Sequence, residues 1–170
     1  RQMCKETVPI YFSHGDLLWG NDFSIARLGQ GAFRTALEAV FHVRILLTTY
    51  KQRVTNGIQL NAHTFGKPET STYEYANGLL QELLLSASKD SCAQIPPENV
   101  WMIGDNPYSD ILGTHYHRQL MTGANNFGWS SALVRTGVFR DVEGPPAHTP
   151  TLIADNVEKA IESIMNRTWS

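Results

Sequence analysis

Residues 100–113 read VWMIGDNPYSDILG. Val100 to Ile103 is an unbroken apolar run, the pattern of a strand buried on both faces inside a parallel sheet. The run stops at Gly104-Asp105 and turns through Asn106-Pro107. It then presents a second acid, Asp110, where a new helix is expected to begin near Tyr108 or Ser109. In open α/β sheets, ligands bind beyond the carboxyl ends of the strands, so Asp105 stands where chemistry would take place. Two carboxylates converging there repel each other unless a cation lies nearby. Hard oxygen donors with room for water suit Mg²⁺. A purely structural account fits the same residues: Asp105 caps the next helix and Asp110 is an acid favoured by its first-turn dipole. The spacing alone leaves both accounts open.

Upstream, Phe65-Gly66-Lys67-Pro68 breaks the chain, and Pro68 biases Lys67 away from helical dihedrals. A lysine on so stiff a base can hold its ammonium against a phosphate, although Gly-Lys-Pro by itself is an ordinary turn. A helix is expected from Ser71 or Thr72, with Ser71 and Glu74 as a capping box and Ala76, Leu79, Leu80, Leu83 and Leu84 as its apolar stripe. Downstream, Ser131 to Arg135 and Thr151 to Ala154 read as short strands. A final helix is expected after an Asp155 cap with Glu158 in the capping-box position. Nearer the start, Val8 to Ser13 reads as a strand leaving into His14-Gly15-Asp16. Asp22 to Gly31 reads as irregular and Ala32 to Val43 as a helix. Arg44 to Thr64 has no clear assignment beyond a turn signal at Asn56-Gly57. Helices alternating with short apolar strands from Gly66 onward indicate an α/β sandwich around a parallel sheet.

The 170 residues suffice for one sizeable domain, or for one domain and part of another. A net charge of −2 with scattered Lys and Arg gives no electrostatic reason to expect nucleic acid. No apolar run approaches the roughly 20 residues of a membrane span. Cys4 and Cys92 lie far apart with no His or Cys beside either, which argues against a disulfide framework or zinc site and for reduced thiols in an intracellular protein. The opening Arg1-Gln2-Met3-Cys4 carries neither an initiator Met nor a signal peptide, and the chain is expected to be the later part of something longer.

Gly66-Lys67-Pro68, an amphipathic helix, a buried strand and Gly104-Asp105 with Asp110 form one ordered pattern. With it the chain resembles the haloacid dehalogenase-like (HAD) hydrolase superfamily. Phe65 to Pro68 is similar to that superfamily's third motif and Gly104 to Ile111 to its fourth. Gly128 to Val138 and Pro150 to Val157 resemble the later strands of subclass IIA, and Arg27 to Ala32 with Ala36-Leu37-Glu38 resembles the end of its cap. The branch it most resembles is the eukaryotic, often mitochondrial group related to the cat eye syndrome critical region protein. The resemblance implies a Rossmann-like, three-layer αβα core with an inserted α/β cap. Residues 1–62 would be the tail of the cap and 63–170 the carboxyl-terminal half of the core. It implies a Mg²⁺-dependent phosphatase that acts on a small phosphorylated metabolite through an aspartyl phosphate. In it, Lys67 steadies phosphoryl charge, Asp105 binds the metal directly and Asp110 supports it or acts through water. Among partners, a small phosphorylated substrate and a second copy of the chain, as a homodimer, are the expectations; nucleic acid and membrane are not expected partners.

Three departures qualify that expectation. No Asp-x-Asp follows an apolar strand anywhere in the chain, so the expected nucleophile and general acid are missing and the chain alone is expected to be inactive. Thr114 to Gly123 interrupts the pattern after the metal motif. Its His115 and His117 read as solvated loop residues rather than metal ligands, and Arg44 to Gln52 reads as a similar insertion. His14 stands where relatives tend to carry Asn, a cap position. The alternative function is a non-catalytic module of the same fold that binds or assembles. A receiver-like phospho-acceptor domain is disfavoured, because its lysine follows the acids whereas Lys67 precedes them.

Overall fold

The computed structural model describes residues 8–23, 25–40, 60–88, 92–112, 124 and 127–168 in full, and the backbone alone of 41–50. In chain order the elements are β1 (Ile10–Phe12), β2 (Leu18–Trp19), β3 (Arg27–Leu28), α1 (Gln30–Tyr50), β4 (Ala62–Thr64) and α2 (Thr70–Ala87). They continue with β5 (Trp101–Gly104), β6 (Ser130–Val134), β7 (Leu152–Ala154) and α3 (Val157–Thr168). The protein is α/β, and its largest sheet is the parallel array β5-β6-β7.

That sheet is layered by the period-2 alternation of strand side chains. Met102 of β5 packs with Tyr73, Ala76 and Leu80 of α2. Its neighbours Trp101 and Ile103 point the other way, and join Ala132, Val134 and Ala154 against Ala160 and Ile164 of α3. The register places Ile103 opposite Ala132 and Val134 opposite Ala154, so on the face that receives α3 a branched side chain stands beside an alanine at each pairing. Two helices on opposite faces of a parallel sheet make the α/β sandwich expected from the alternating pattern, in the three-layer Rossmann-like form that the resemblance implies. On the α2 side, Leu133 packs with Ile111 and Phe139, which places the turn after β5 against the sheet.

The earlier residues form two further, two-stranded sheets. β1 and β4 pair in parallel with Phe12 opposite Thr64, and β2 pairs antiparallel with β3. β4 runs directly into the Phe65–Pro68 break, whose Gly66 sits at φ +78 and whose Lys67–Pro68 bond is cis. Among the described residues, no helix is long and apolar enough to cross a membrane.

Several local expectations differ from what forms. α2 begins at Thr70, and no Ser71 capping box exists: Glu69 is the N-cap residue and makes no side-chain cap bond. The turn at Gly66, closed by Glu69 N donating to Gly66 O at 2.9 Å, has already redirected the chain, so the helix starts early. α3 is capped by Asn156, whose Oδ1 accepts from Lys159 N at 2.9 Å. Asp155 instead accepts from Arg135 Nη1 at 3.1 Å. α1 starts at Gln30 and runs on through Arg44–Tyr50, beyond the end expected at Val43. The irregular stretch before it contains β3, and the unassigned stretch after it contains β4. The helix after Asp105 is a single π-type turn, Pro107–Ile111. The Asn56-Gly57 turn, Cys4, and the Thr114–Gly123 segment with His115 and His117 lie outside the described residues.

Tyr73 ties α2 to the turn after β5. It is 2% exposed, packs edge-on to Trp129 at 5.5 Å, and donates its hydroxyl to Ser109 O at 2.9 Å. Burial raises its pKa well above the ordinary tyrosine value, helped by the negative charges of Asp110 and Asp16. The unfolded chain releases this proton near pH ~10 while the folded chain keeps it. Above that pH the unfolded state therefore binds fewer protons, and stability falls as pH rises. Tyr73→Phe is expected to cost about 1 kcal/mol at neutral pH, because the Ser109 carbonyl loses its donor. It should also flatten the alkaline fall. Urea unfolding of both proteins near neutral pH and about one unit above the tyrosine pKa checks both effects.

Candidate active site

β5 ends at Gly104, and the backbone leaves the sheet with Asp105 at its carboxyl end. Asp105 Oδ2 accepts from the backbone N–H of Val138 at 2.7 Å. The turn after β6 thereby holds the carboxylate. Gly137 makes this possible, since a Cβ there would run into the Asp105 carboxylate.

Asn106 organises the next turn. Its Oδ1 accepts from Tyr108 N at 3.0 Å, and its carbonyl accepts from Asp110 N at 2.9 Å. Pro107 occupies the first turn position, where a missing N–H costs nothing. The five-residue coil returns the chain on itself and packs Asp110 against the strand it has just left. Asp110 fills the space beside Gly104, where any Cβ would collide with its Oδ2. The carboxylate is 0% exposed. Oδ2 accepts from Asn106 N at 3.0 Å, and Oδ1 forms an ion pair and hydrogen bond with Lys67 Nζ.

Burial pushes the Asp110 carboxyl above the ordinary aspartate value. The Lys67 ammonium, its hydrogen bond and the Asn106 N–H pull it back, and the Asp105 charge adds to the upward push. A buried carboxylate without such partners would be several kcal/mol out of balance. Lys67 is the essential counter-charge. Its backbone leaves Gly66 just before α2, so the break at residues 66–68 and the strand end at 104–110 meet across a single charge-assisted bond.

The structure thus brings Lys67 and Asp110 into contact and sets Asp105 beside them. It also brings in a residue the motifs did not single out. Asp16, in the loop after β1, accepts from Asn106 Nδ2 at 3.2 Å. A signal for it was present: His14-Gly15-Asp16 follows β1 as Gly104-Asp105 ends β5, an acid behind a glycine at a strand end. His14 Nδ1 stands 3.9 Å from Asp16 Oδ2, a loose approach rather than a hydrogen bond.

The donor set is all oxygen, as a hard cation requires. Asp110 has both oxygens engaged by N–H donors, which fits a supporting position. Asp105 has one oxygen on Val138 N and is the carboxylate at the mouth of the sheet. Among the described residues, no group of three or more His, Cys, Asp or Glu could enclose an ion. Mg²⁺ commonly takes only one or two protein carboxylates and fills its shell with water and phosphate. The residues present therefore fit one edge of a Mg²⁺ shell, through Asp105.

The profile of the HAD-hydrolase-like family matches residues 64–117 and 121–160, which include Lys67, Asp105 and Asp110. A cardiolipin synthase (CMP-forming) / mitochondrial hydrolase fusion protein of Schizosaccharomyces pombe is 35% identical over 96% of the chain. A mitochondrial hydrolase of Saccharomyces cerevisiae is likewise 35% identical over 96% of the chain. The chain spans 23% of the first relative and 44% of the second.

The ion pair sets a stability test. Lys67→Met leaves Asp110 buried without its counter-charge. Breaking a fully buried pair costs about 3–5 kcal/mol; the Lys67 side chain is 38% exposed, so about 2–3 kcal/mol is expected. Lys67→Met with Asp110→Asn should recover most of that loss. Urea midpoints of the two single variants and the double variant measure the coupling.

Proposed function

The chain belongs to the HAD-like hydrolases, and from that membership we propose that it serves a Mg²⁺-dependent phosphatase of subclass IIA. Its substrate on this reading is a small phosphorylated metabolite. The observation that carries the reading is the Lys67–Asp110 pair held at the sheet's carboxyl end beside Asp105. Lys67 places a cation where a phosphoryl group arriving at that mouth accumulates negative charge, and charge placed in advance lowers the barrier without reorganisation. Asp110, fixed by Asn106 N and closed to solvent, holds the ammonium in place rather than reacting itself. Asp105 is the residue that would hold the metal. Bound there, Mg²⁺ would offset phosphate charge and orient the ester for in-line attack.

The attacking carboxylate and the general acid belong to an Asp-x-Asp that these 170 residues do not contain. On this reading the upstream aspartate forms a bond to phosphorus as the ester oxygen departs. Its partner acid protonates that oxygen, and water then cleaves the acyl phosphate to release inorganic phosphate. The names of both relatives include a mitochondrial hydrolase, which supports a mitochondrial setting for this protein too. A second reading is a non-catalytic binding module of the same fold, and an Asp-x-Asp upstream of this chain separates the two, since a binding module has no need of that pair.

The chain alone with Mg²⁺ is expected to hydrolyse p-nitrophenyl phosphate no faster than its Lys67→Ala variant. A protein that joins this chain to an upstream segment bearing Asp-x-Asp should be active, lose activity with EDTA, and lose about 10²–10³-fold in kcat on Lys67→Ala. Activity in the isolated chain would refute the assignment of the nucleophile. A folded, inert joined protein would favour the binding module.

A further inference from the structure

Residues 13–20 leave β1 and cross to the acid loop, and their backbone is fixed from the α1 side. Gln30 Oε1 accepts from Ser13 N at 2.9 Å, Ser13 Oγ at 3.1 Å and His14 N at 3.3 Å. Gly31 N donates to Asp16 O at 2.9 Å and Gly29 N to Leu17 O at 2.7 Å. The fit is close: a Cβ on Gly29 would stand 2.6 Å from Asp16 O, and one on Gly31 would run into Gly15 O.

Held in this way, the segment meets the acid loop at two places. Asp16 Oδ1 accepts from Asn106 Nδ2. An ionised carboxylate can only accept, so it selects one orientation of the Asn106 amide: NH₂ toward Asp16 and carbonyl oxygen toward Tyr108 N. At the second place Gly20 lies on the backbone of Gly137, where a Cβ would come within 2.7 Å of the Gly137 carbonyl carbon. Gly137 itself lies against the Asp105 carboxylate, and the following residue, Val138, donates to it. One segment therefore bears on both sides of the turn that carries Asp105 and Asp110.

We infer that residues 15–20 form a brace and that Asp16 is a positioning residue. It sets the Asn106 amide, and through it the Asp105–Asp110 turn, before any ligand arrives. The inference rests on the proposed function only where it concerns metal affinity. A turn already in its bound shape loses less conformational freedom on binding, so the brace raises affinity without touching the ligand.

The test compares the chain with its Asp16→Ala and Asp16→Asn variants. Amide hydrogen exchange is followed by NMR, and Mn²⁺ alone is titrated while broadening of the 105–110 signals is recorded. Asp16→Ala should speed exchange at Tyr108 and Asp110 by about 3- to 10-fold, the worth of one hydrogen bond, while Leu133 and Ile153 keep their rates. It should weaken Mn²⁺ by a similar factor. Asp16→Asn keeps an oxygen acceptor for Asn106 Nδ2 and should restore both. The brace is refuted if Asp16→Ala leaves the Tyr108 and Asp110 rates unchanged, or if exchange quickens equally across β6 and β7. If the parent chain shows no Mn²⁺ broadening at the turn, the metal assignment fails, and the exchange pattern alone decides the brace.

Discussion

Asp110 sets the terms for everything around it. A carboxylate withdrawn from water must be met by donors on both oxygens, and only a few backbone paths deliver them. Lys67 answers one oxygen and the Asn106 N–H the other. That requirement dictates a turn tight enough to bring residue 110 back under residue 106, a strand end with no Cβ at 104, and a chain break that aims Lys67 inward. Burial outweighs the ammonium in the carboxyl's proton affinity, so the pair is no large source of stability. Its effect is to exclude other arrangements: a slip of the β5 register or of the α2 start would leave a buried charge unanswered.

The two acids of the turn share a peptide neighbourhood but not an environment. Asp110 is closed to solvent and saturated with N–H donors, whereas Asp105 keeps its place at the mouth of the sheet with one oxygen on Val138 N. Such a division lets one carboxylate hold a cationic side chain while the other remains free to meet a metal. The strands supply the platform: three parallel strands ending together bring the β5 turn and the β6 turn side by side. Two neighbouring turns can then grip one carboxylate from different directions.

Much of this was legible in the sequence because it depends on local rules. The apolar run at 100–103, the short strand expected at 131–135 and the Gly-Lys-Pro break follow from period, polarity and backbone restriction, and each formed within a residue or two of its expected place. The αβ alternation gave the layers. Helix starts were less legible, because capping is decided by which side chain the incoming loop points toward the free N–H groups. Asn156 displaced Asp155 in that role once Arg135 drew Asp155 away. The π-type coil was hidden for a similar reason: it exists to carry Asp110 back to Lys67, 43 residues distant in sequence. Asp16 was the least legible, since its partner Asn106 lies 90 residues on and the local signal, an acid behind a glycine at a strand end, does not name that partner.

The glycines at 104 and 137 carry a genetic consequence. Every nucleotide change that replaces glycine, at either of the first two codon positions, installs at least a Cβ or ends the chain. At residue 104 that atom falls on the Asp110 carboxylate, and at residue 137 on that of Asp105. Neither codon has a mild neighbour. An allele altered at either position would resemble the loss of an acid, although both acids would still be encoded.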